Sequence, residues 1–289
     1  MGQSYNSAPM RLDSHQHFWS FRESEYDWID ERMSRIRRDF APGDLEPILR
    51  RNDFDGSVAV QVRQSLEETE YLLGLAEDHD FIRGVVGWVD LCSPGVRRDL
   101  ERLSEHPRFR GVRHIVQAEP DDRFLLREDF LRGVELLRDL DLTYDILVYH
   151  RHLPVVVDFV ARFPEHRLVL DHIGKPAIAR RELDPWASSI RKLGKSENLY
   201  CKVSGLVTEA DWSGWKRSDF GLYLEIVLES FGPRRLLFGS DWPVATLAAS
   251  YEEVFEIVED FLEPLSSSEK DAVLGGNAVD FYGLEVPPA

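Results

Sequence analysis

Eight short runs of apolar and β-branched residues recur along this chain, each followed by a longer amphipathic stretch. That alternation limits the fold more than any other feature. The runs are Arg11–Phe18, Asp55–Arg63, Ile82–Asp90, Phe109–Val116, Leu142–Tyr149, Arg167–Gly174, Leu199–Leu206 and Arg235–Trp242. Between them, Leu66–Asp80 places Leu66, Tyr71, Leu72, Leu75 and Ala76 close to helical spacing, and a stripe of that kind is what a helix needs to bury one side. Phe130–Leu140, Leu153–Phe163, Trp186–Leu193, Phe220–Phe231 and Tyr251–Leu262 repeat the pattern. Pro94 and the Pro42-Gly43-Asp44 segment mark two further helix starts, and a last helix is expected over Ser268–Leu274.

Strict alternation implies parallel strands joined by right-handed crossovers. Eight such units in 289 residues predict a closed (β/α)8 barrel, the α/β TIM barrel. An open doubly wound sheet is the alternative, but it advertises itself by a Gly-rich turn after an early strand. No GxGxxG or Walker A pattern occurs. Residues 1–10 read as a disordered or extended tail and 11–289 as one barrel domain. Trp19–Phe40 is a long connection after the first strand, and such connections often cover a site.

Charge narrows the partners. Lys and Arg number 35 against 52 Asp and Glu, a net charge of −17. A surface so acidic repels phosphate backbones and anionic lipid, so neither nucleic acid nor membrane is expected, and a neutral small substrate is the simplest ligand. The two cysteines, Cys92 and Cys201, are far apart and read as small buried hydrophobes rather than a disulfide or zinc motif. The opening MGQSYNSAPM lacks the apolar segment of a secretory signal, and no run is long enough to span a bilayer. A cytoplasmic protein is expected. Oligomeric state is not legible.

In barrels of this kind chemistry sits at the carboxyl ends of the strands. The first run ends His15-Gln16-His17, and residues two apart on a strand face the same way. Two imidazoles there can hold a divalent metal or work as a proton-transfer pair; they can equally be buried, hydrogen-bonded histidines. The sixth run ends in Asp171-His172 before Gly174-Lys175-Pro176, and the eighth in Gly239-Ser240-Asp241-Trp242. Taken singly, His172 is an ordinary turn histidine and Asp241 a turn-initiating Asp. Their joint placement at strands one, six and eight is far more specific.

That pattern resembles the amidohydrolase superfamily. The phrases LDSHQHFW, GVRH, LVLDHIGKP, YCKVSGLVTEADW and LLFGSDWPV are similar to its lactonase branch, which holds L-fuconolactonase-like and L-rhamnonolactonase-like sugar lactonases and, further off, the pyrone-dicarboxylate lactonases. The resemblance runs from about Arg11 to Gly283. Two departures matter. Binuclear members carry a Lys or Glu on strand four and a His on strand five. Here strand four reads Gly111-Val112-Arg113-His114-Ile115, strand five Thr143-Tyr144-Asp145-Ile146-Leu147, and His150 and His152 come only afterwards. What the resemblance implies is one divalent metal, zinc first, on His15, His17 and Asp241 with His172 as a further ligand, or a reaction without metal.

The expected reaction is water attack on the carbonyl of an aldonolactone such as L-fuconolactone or L-rhamnonolactone. Asp241 is the expected general base, and His15, His17 and His172, or a metal, polarise the carbonyl. Hydroxyl-binding candidates at strand ends are Arg63, Gln64, Trp88, Asp90, Arg113 or His114, Tyr144 or Asp145, and Trp242, with Trp19 and Trp28 from the long connection. Core packing explains most of the tryptophans equally well. Lys202 shares a strand face with Ser204 and is either a salt-bridged structural residue or a catalyst. Two other functions stay open: a metal-dependent decarboxylase receiving a carboxylate on Arg63 and Arg113, and a non-catalytic sugar-acid binding protein.

Overall fold

The computed structural model describes residues 9–285; residues 1–8 of the expected tail lie outside them. Eight strands form one sheet, with β1 at Leu12–Gln16, β2 at Gly56–Val60, β3 at Ile82–Gly87 and β4 at Phe109–Ile115. β5 spans Thr143–Leu147, β6 Leu168–Leu170, β7 Leu199–Val203 and β8 Leu236–Phe238. Each pairs in parallel with the next, in chain order. The sheet closes on itself just past β8, where the His17 amide donates to the Trp242 carbonyl at 2.8 Å and the Asp241 amide to the His15 carbonyl at 2.8 Å. This is the (β/α)8 barrel expected from the alternation.

The helices are α1 (Pro42–Arg51), α2 (Leu66–Asp78), α3 (Val96–Ser104), α4 (Glu128–Asp139) and α5 (Leu153–Val160). They continue with α6 (Trp186–Leu193), α7 (Gly221–Phe231), α8 (Tyr251–Leu262), α9 (Ser267–Asp271) and α10 (Asn277–Tyr282). Their starts follow local chemistry. The Ser65 hydroxyl accepts the Glu68 amide at the head of α2, and Ser250 with Glu253 and Ser266 with Glu269 form reciprocal caps on α8 and α9.

Three boundaries differ from the sequence reading. The strands are shorter, so His17, Trp88, His172, Asp241 and Trp242 all lie just beyond them. The helix expected at Pro94 begins at Val96. The helix expected over Ser268–Leu274 is α9 running into a wide turn, after which α10 follows unannounced. That last helix carries Ala278, Phe281 and Tyr282 into a cluster with Leu12, Val58, Val60, Val86, Val169 and Leu237. These strand residues line the barrel interior, so α10 plugs the end remote from the strand carboxyl termini.

A single-residue bulge in β1 sets the orientation of the histidines. Asp13 pairs with Ser57 but Gln16 with Ala59, three residues against two. Leu12 can therefore join the interior cluster while His15, an odd number of residues later, also points inward. Cys201 is buried in β7 and Cys92 half-buried past β3, both unpaired. Among the described residues no helix is long and apolar enough to cross a membrane.

Candidate active site

At the carboxyl end of the strands lies a cavity of about 710 Å3, with His17, Arg113, His172 and Asp241 among its walls. Its size is that of a pocket for one small organic ligand. Three imidazoles surround one carboxylate. His17 Nε2 lies 3.3 Å, and His15 Nε2 and His172 Nε2 each 3.9 Å, from Asp241 Oδ1.

Each ring is held by its other nitrogen. His17 Nδ1 donates to the Val60 carbonyl at 2.7 Å. That bond leaves Nε2 of the neutral ring with a lone pair facing a carboxylate oxygen, an arrangement that calls for a proton or a cation between them. His172 Nδ1 meets the Ser204 hydroxyl at 2.9 Å. Burial pushes the pKa of His15 and His17 down and that of His172 to about 4, so the rings are neutral near pH 7. Burial also pushes Asp241 up, but the facing His172 ring, the hydrogen bond with His17 and the nearby His15 ring outweigh it and hold the carboxyl below its ordinary range. The carboxyl is ionised.

Backbone geometry at these positions is unusual. His172, Ile173 and Lys175 have φ of 54°, 47° and 48°, and Asp241 has φ of 58°. Non-glycine residues enter this left-handed region at a cost, and such outliers gather at functional sites. Two glycines make room for the rings. A Cβ on Gly205 (φ +63°) would stand 2.6 Å from His172 Nδ1, and one on Gly239 would stand 2.6 Å from His15 Cβ.

Beneath the site runs a buried polar network. Lys202 donates to Asp145 Oδ2, which the Tyr282 hydroxyl reaches from α10 at 2.8 Å. Lys202 Nζ also lies 3.1 Å from Asp171 Oδ1. Arg113 Nη1 donates to Asp171 Oδ2 at 3.0 Å, and its Nη2 donates to the Gln61 carbonyl. Burial raises Asp171, but Lys202 first and then His15 and Arg113 draw its pKa well below the ordinary value. Lys202 is thus fully buried and paired on two sides.

Strand alternation sorts the other candidates. Arg63 and Arg113 line the cavity. Trp19, Trp88, His114, Tyr144 and Trp242 do not, which corrects the expectation that they face substrate. His114 points outward from β4, stacks on Phe124 at 4.6 Å, accepts from Trp88 Nε1 at 3.3 Å and donates to Glu119 at 2.7 Å. Tyr144 packs against Phe130 and Phe159, because its neighbour Asp145 takes the inward position. Trp242 meets Phe18 and Phe40 edge to face. Trp19 donates to the Arg38 carbonyl at 2.8 Å and exchanges backbone hydrogen bonds with Phe40, closing the long connection into a packed flap.

Several wall residues carried no sequence signal of their own. The flap supplies Glu25, Asp27 and Met33 beside Trp28, which the sequence did single out, and later loops supply Tyr149, Lys175, Glu209 and Trp212. Glu25 pairs with Arg63 at 2.7 Å, and Lys175 with Glu209 at 3.4 Å. Buried Glu68 accepts the Val62 and Arg63 amides at 3.0 and 2.7 Å and so fixes the loop after β2.

A family model described as Amidohydrolase matches residues 12–284. The chain belongs to the amidohydrolase family. It is 45% identical to an L-fucono-1,5-lactonase of Burkholderia multivorans, covering 96% of this chain and 97% of that protein. It is 36% identical to an L-fucono-1,5-lactonase of Burkholderia ambifaria over the same shares. Among solved structures, an amidohydrolase from Burkholderia multivorans with bound zinc superposes with a TM-score of 0.91 at 45% identity, covering 96% of this chain and all of that one. In this amidohydrolase, His15, His17 and Asp241 offer three ligand atoms within 4.8 Å of one another, and so do His15, Asp171 and His172. In the second set Asp171 is already neutralised by Lys202 and Arg113.

Proposed function

We propose that this amidohydrolase opens a neutral sugar lactone, with L-fuconolactone the first candidate, by adding water to the lactone carbonyl. The observation that carries the reading is the ionised Asp241 carboxylate ringed by three neutral imidazoles at the floor of the cavity. Asp241 takes a proton from the attacking water. The His172 ring, when its Nδ1 accepts from Ser204, turns an Nε2–H toward the cavity and steadies the oxyanion. The acid formed on Asp241 then returns its proton to the departing ring oxygen. His15, His17 and Asp241 would hold a divalent ion, zinc by its liking for nitrogen and oxygen donors, and it would polarise the carbonyl as a Lewis acid. The zinc in the related crystal structure supports that choice.

The walls favour a neutral polyol over a carboxylate. Arg63, Lys175 and Arg113 each already face a carboxylate, so none of the three is left to receive a substrate anion. This weighs against the decarboxylase alternative. The paired charges offer both donors and acceptors to vicinal hydroxyls, while Met33, Val244 and Leu247 give an apolar strip suited to the methyl of a 6-deoxy sugar. We read residues 11–289 as one domain, and the unpaired cysteines agree with a cytoplasmic setting.

A pH-indicator screen of 1,4- and 1,5-aldonolactones tests the proposal. Acid release above the spontaneous rate, fastest with 6-deoxy lactones, is expected. No release from any lactone, with carbon dioxide evolved from an aromatic acid instead, would overturn it.

A further inference from the structure

Both ring nitrogens of His15 face a cation. Lys202 Nζ lies 3.1 Å from Nδ1, and Arg113 Nη1 lies 3.1 Å from Nε2. A neutral imidazole carries one proton, and that proton needs an acceptor. Asp171 Oδ1 stands 3.4 Å from Nδ1, whereas the nearest carboxylate oxygen to Nε2 is Asp241 Oδ1 at 3.9 Å. Asp171 is the nearer acceptor, so the geometry points to the tautomer with its proton on Nδ1, beside Lys202 and Asp171, and with the Nε2 lone pair turned toward Arg113. That lone pair is the one a metal held with His17 and Asp241 would use.

Arg113 is clamped in this position. It donates to Asp171 at 3.0 Å and to both oxygens of Gln61, whose side-chain amide returns a bond to the Arg113 carbonyl at 3.0 Å. Charge points the same way. Asp145 and Asp171 face Lys202 and Arg113, and Asp241 lies on the other side of His15, three carboxylates against two buried cations. A divalent ion would reverse the sign of the cluster. Without Arg113, the same ion would neutralise it.

We propose that Arg113 competes with a divalent metal for the Nε2 lone pair of His15, so that the amidohydrolase metal site of this chain is weak and exchangeable. Equilibrium zinc titration against a competing chelator tests this on the wild-type protein and on Arg113→Met. The variant keeps Asp171 paired with Lys202 and leaves the lone pair free. It should bind zinc about tenfold tighter or more, the scale on which neighbours of metal ligands act. Equal or weaker affinity in folded Arg113→Met would overturn the proposal.

A second measurement does not depend on the variant folding. In wild-type crystals soaked to saturation with zinc, either the Arg113 guanidinium is withdrawn from Nε2 or His15 stays uncoordinated. Zinc on His15 Nε2 with Arg113 in place would refute competition. Neither readout involves turnover, so each stands apart from the lactonase reading.

Discussion

His172 and Asp241 face each other with Nε2 and Oδ1 3.9 Å apart, and both sit on left-handed backbone. Each comes from a short strand that stops early, so the turn rather than the strand aims the side chain. Two residues in a sparsely populated region cost on the order of 1–3 kcal/mol apiece, and the surrounding packing has to supply that energy. The site is held in tension by the barrel it sits on.

Asp241→Asn should retain the fold and lose turnover on the order of a thousandfold, the range expected for removing a positioned base. Steady-state kinetics on the best lactone, with circular dichroism as the control for folding, measures it. Wild-type kcat would remove Asp241 from the base role.

Gly205→Ala should act on His172 without touching substrate. The new methyl would meet the ring at 2.6 Å and force an alanine to φ +63°. A loss of about 2 kcal/mol in stability and a fall in kcat larger than any change in KM are expected. Urea unfolding and kinetics on the same preparation separate the two effects.

The network under the site should be worth more than its individual bonds. Lys202→Met would leave Asp145 and Asp171 buried beside a methyl group and should cost about 3–5 kcal/mol. Tyr282→Phe removes one donor to Asp145 and should cost about 1–2 kcal/mol. Denaturant midpoints in that order bear out a charge-centred core; a larger effect from Tyr282→Phe would contradict it.

Glu68 gives stability a slope with pH. Burial raises its pKa from 4.5 to about 7, against the Arg63 and Val62 amides that pull it down. A carboxyl raised on folding contributes fully below pH 4.5, where both states are protonated. Above that the unfolded chain gives up its proton first, so stability falls as pH rises toward about 7, by on the order of 3 kcal/mol. Glu68→Gln should flatten that slope between those limits in urea melts. An unchanged slope would assign it elsewhere.

The barrel was legible because eight alternating units are a global signal that no single boundary error disturbs. His15, His17, His172 and Asp241 were legible because reactive residues at strand ends have few packing explanations. Side-chain direction was harder. On β4 and β5 one step in register exchanges Arg113 for His114 and Asp145 for Tyr144, and propensity does not say which faces in. The bulge in β1 has no mark in composition. Lys175, Glu209, Glu25 and Met33 reach the cavity from loops whose course depends on tertiary packing. Tyr282 was hidden because a helix of six residues carries too little periodicity to stand out.

The reach of Tyr282 to Asp145 spans 137 positions of sequence. As the polypeptide leaves the ribosome, the fifth strand must wait for that hydroxyl until all three later strands have been made. A nascent barrel is thus left with an incompletely solvated carboxylate and an open base, and its final consolidation belongs after translation of α10 rather than strand by strand along the way.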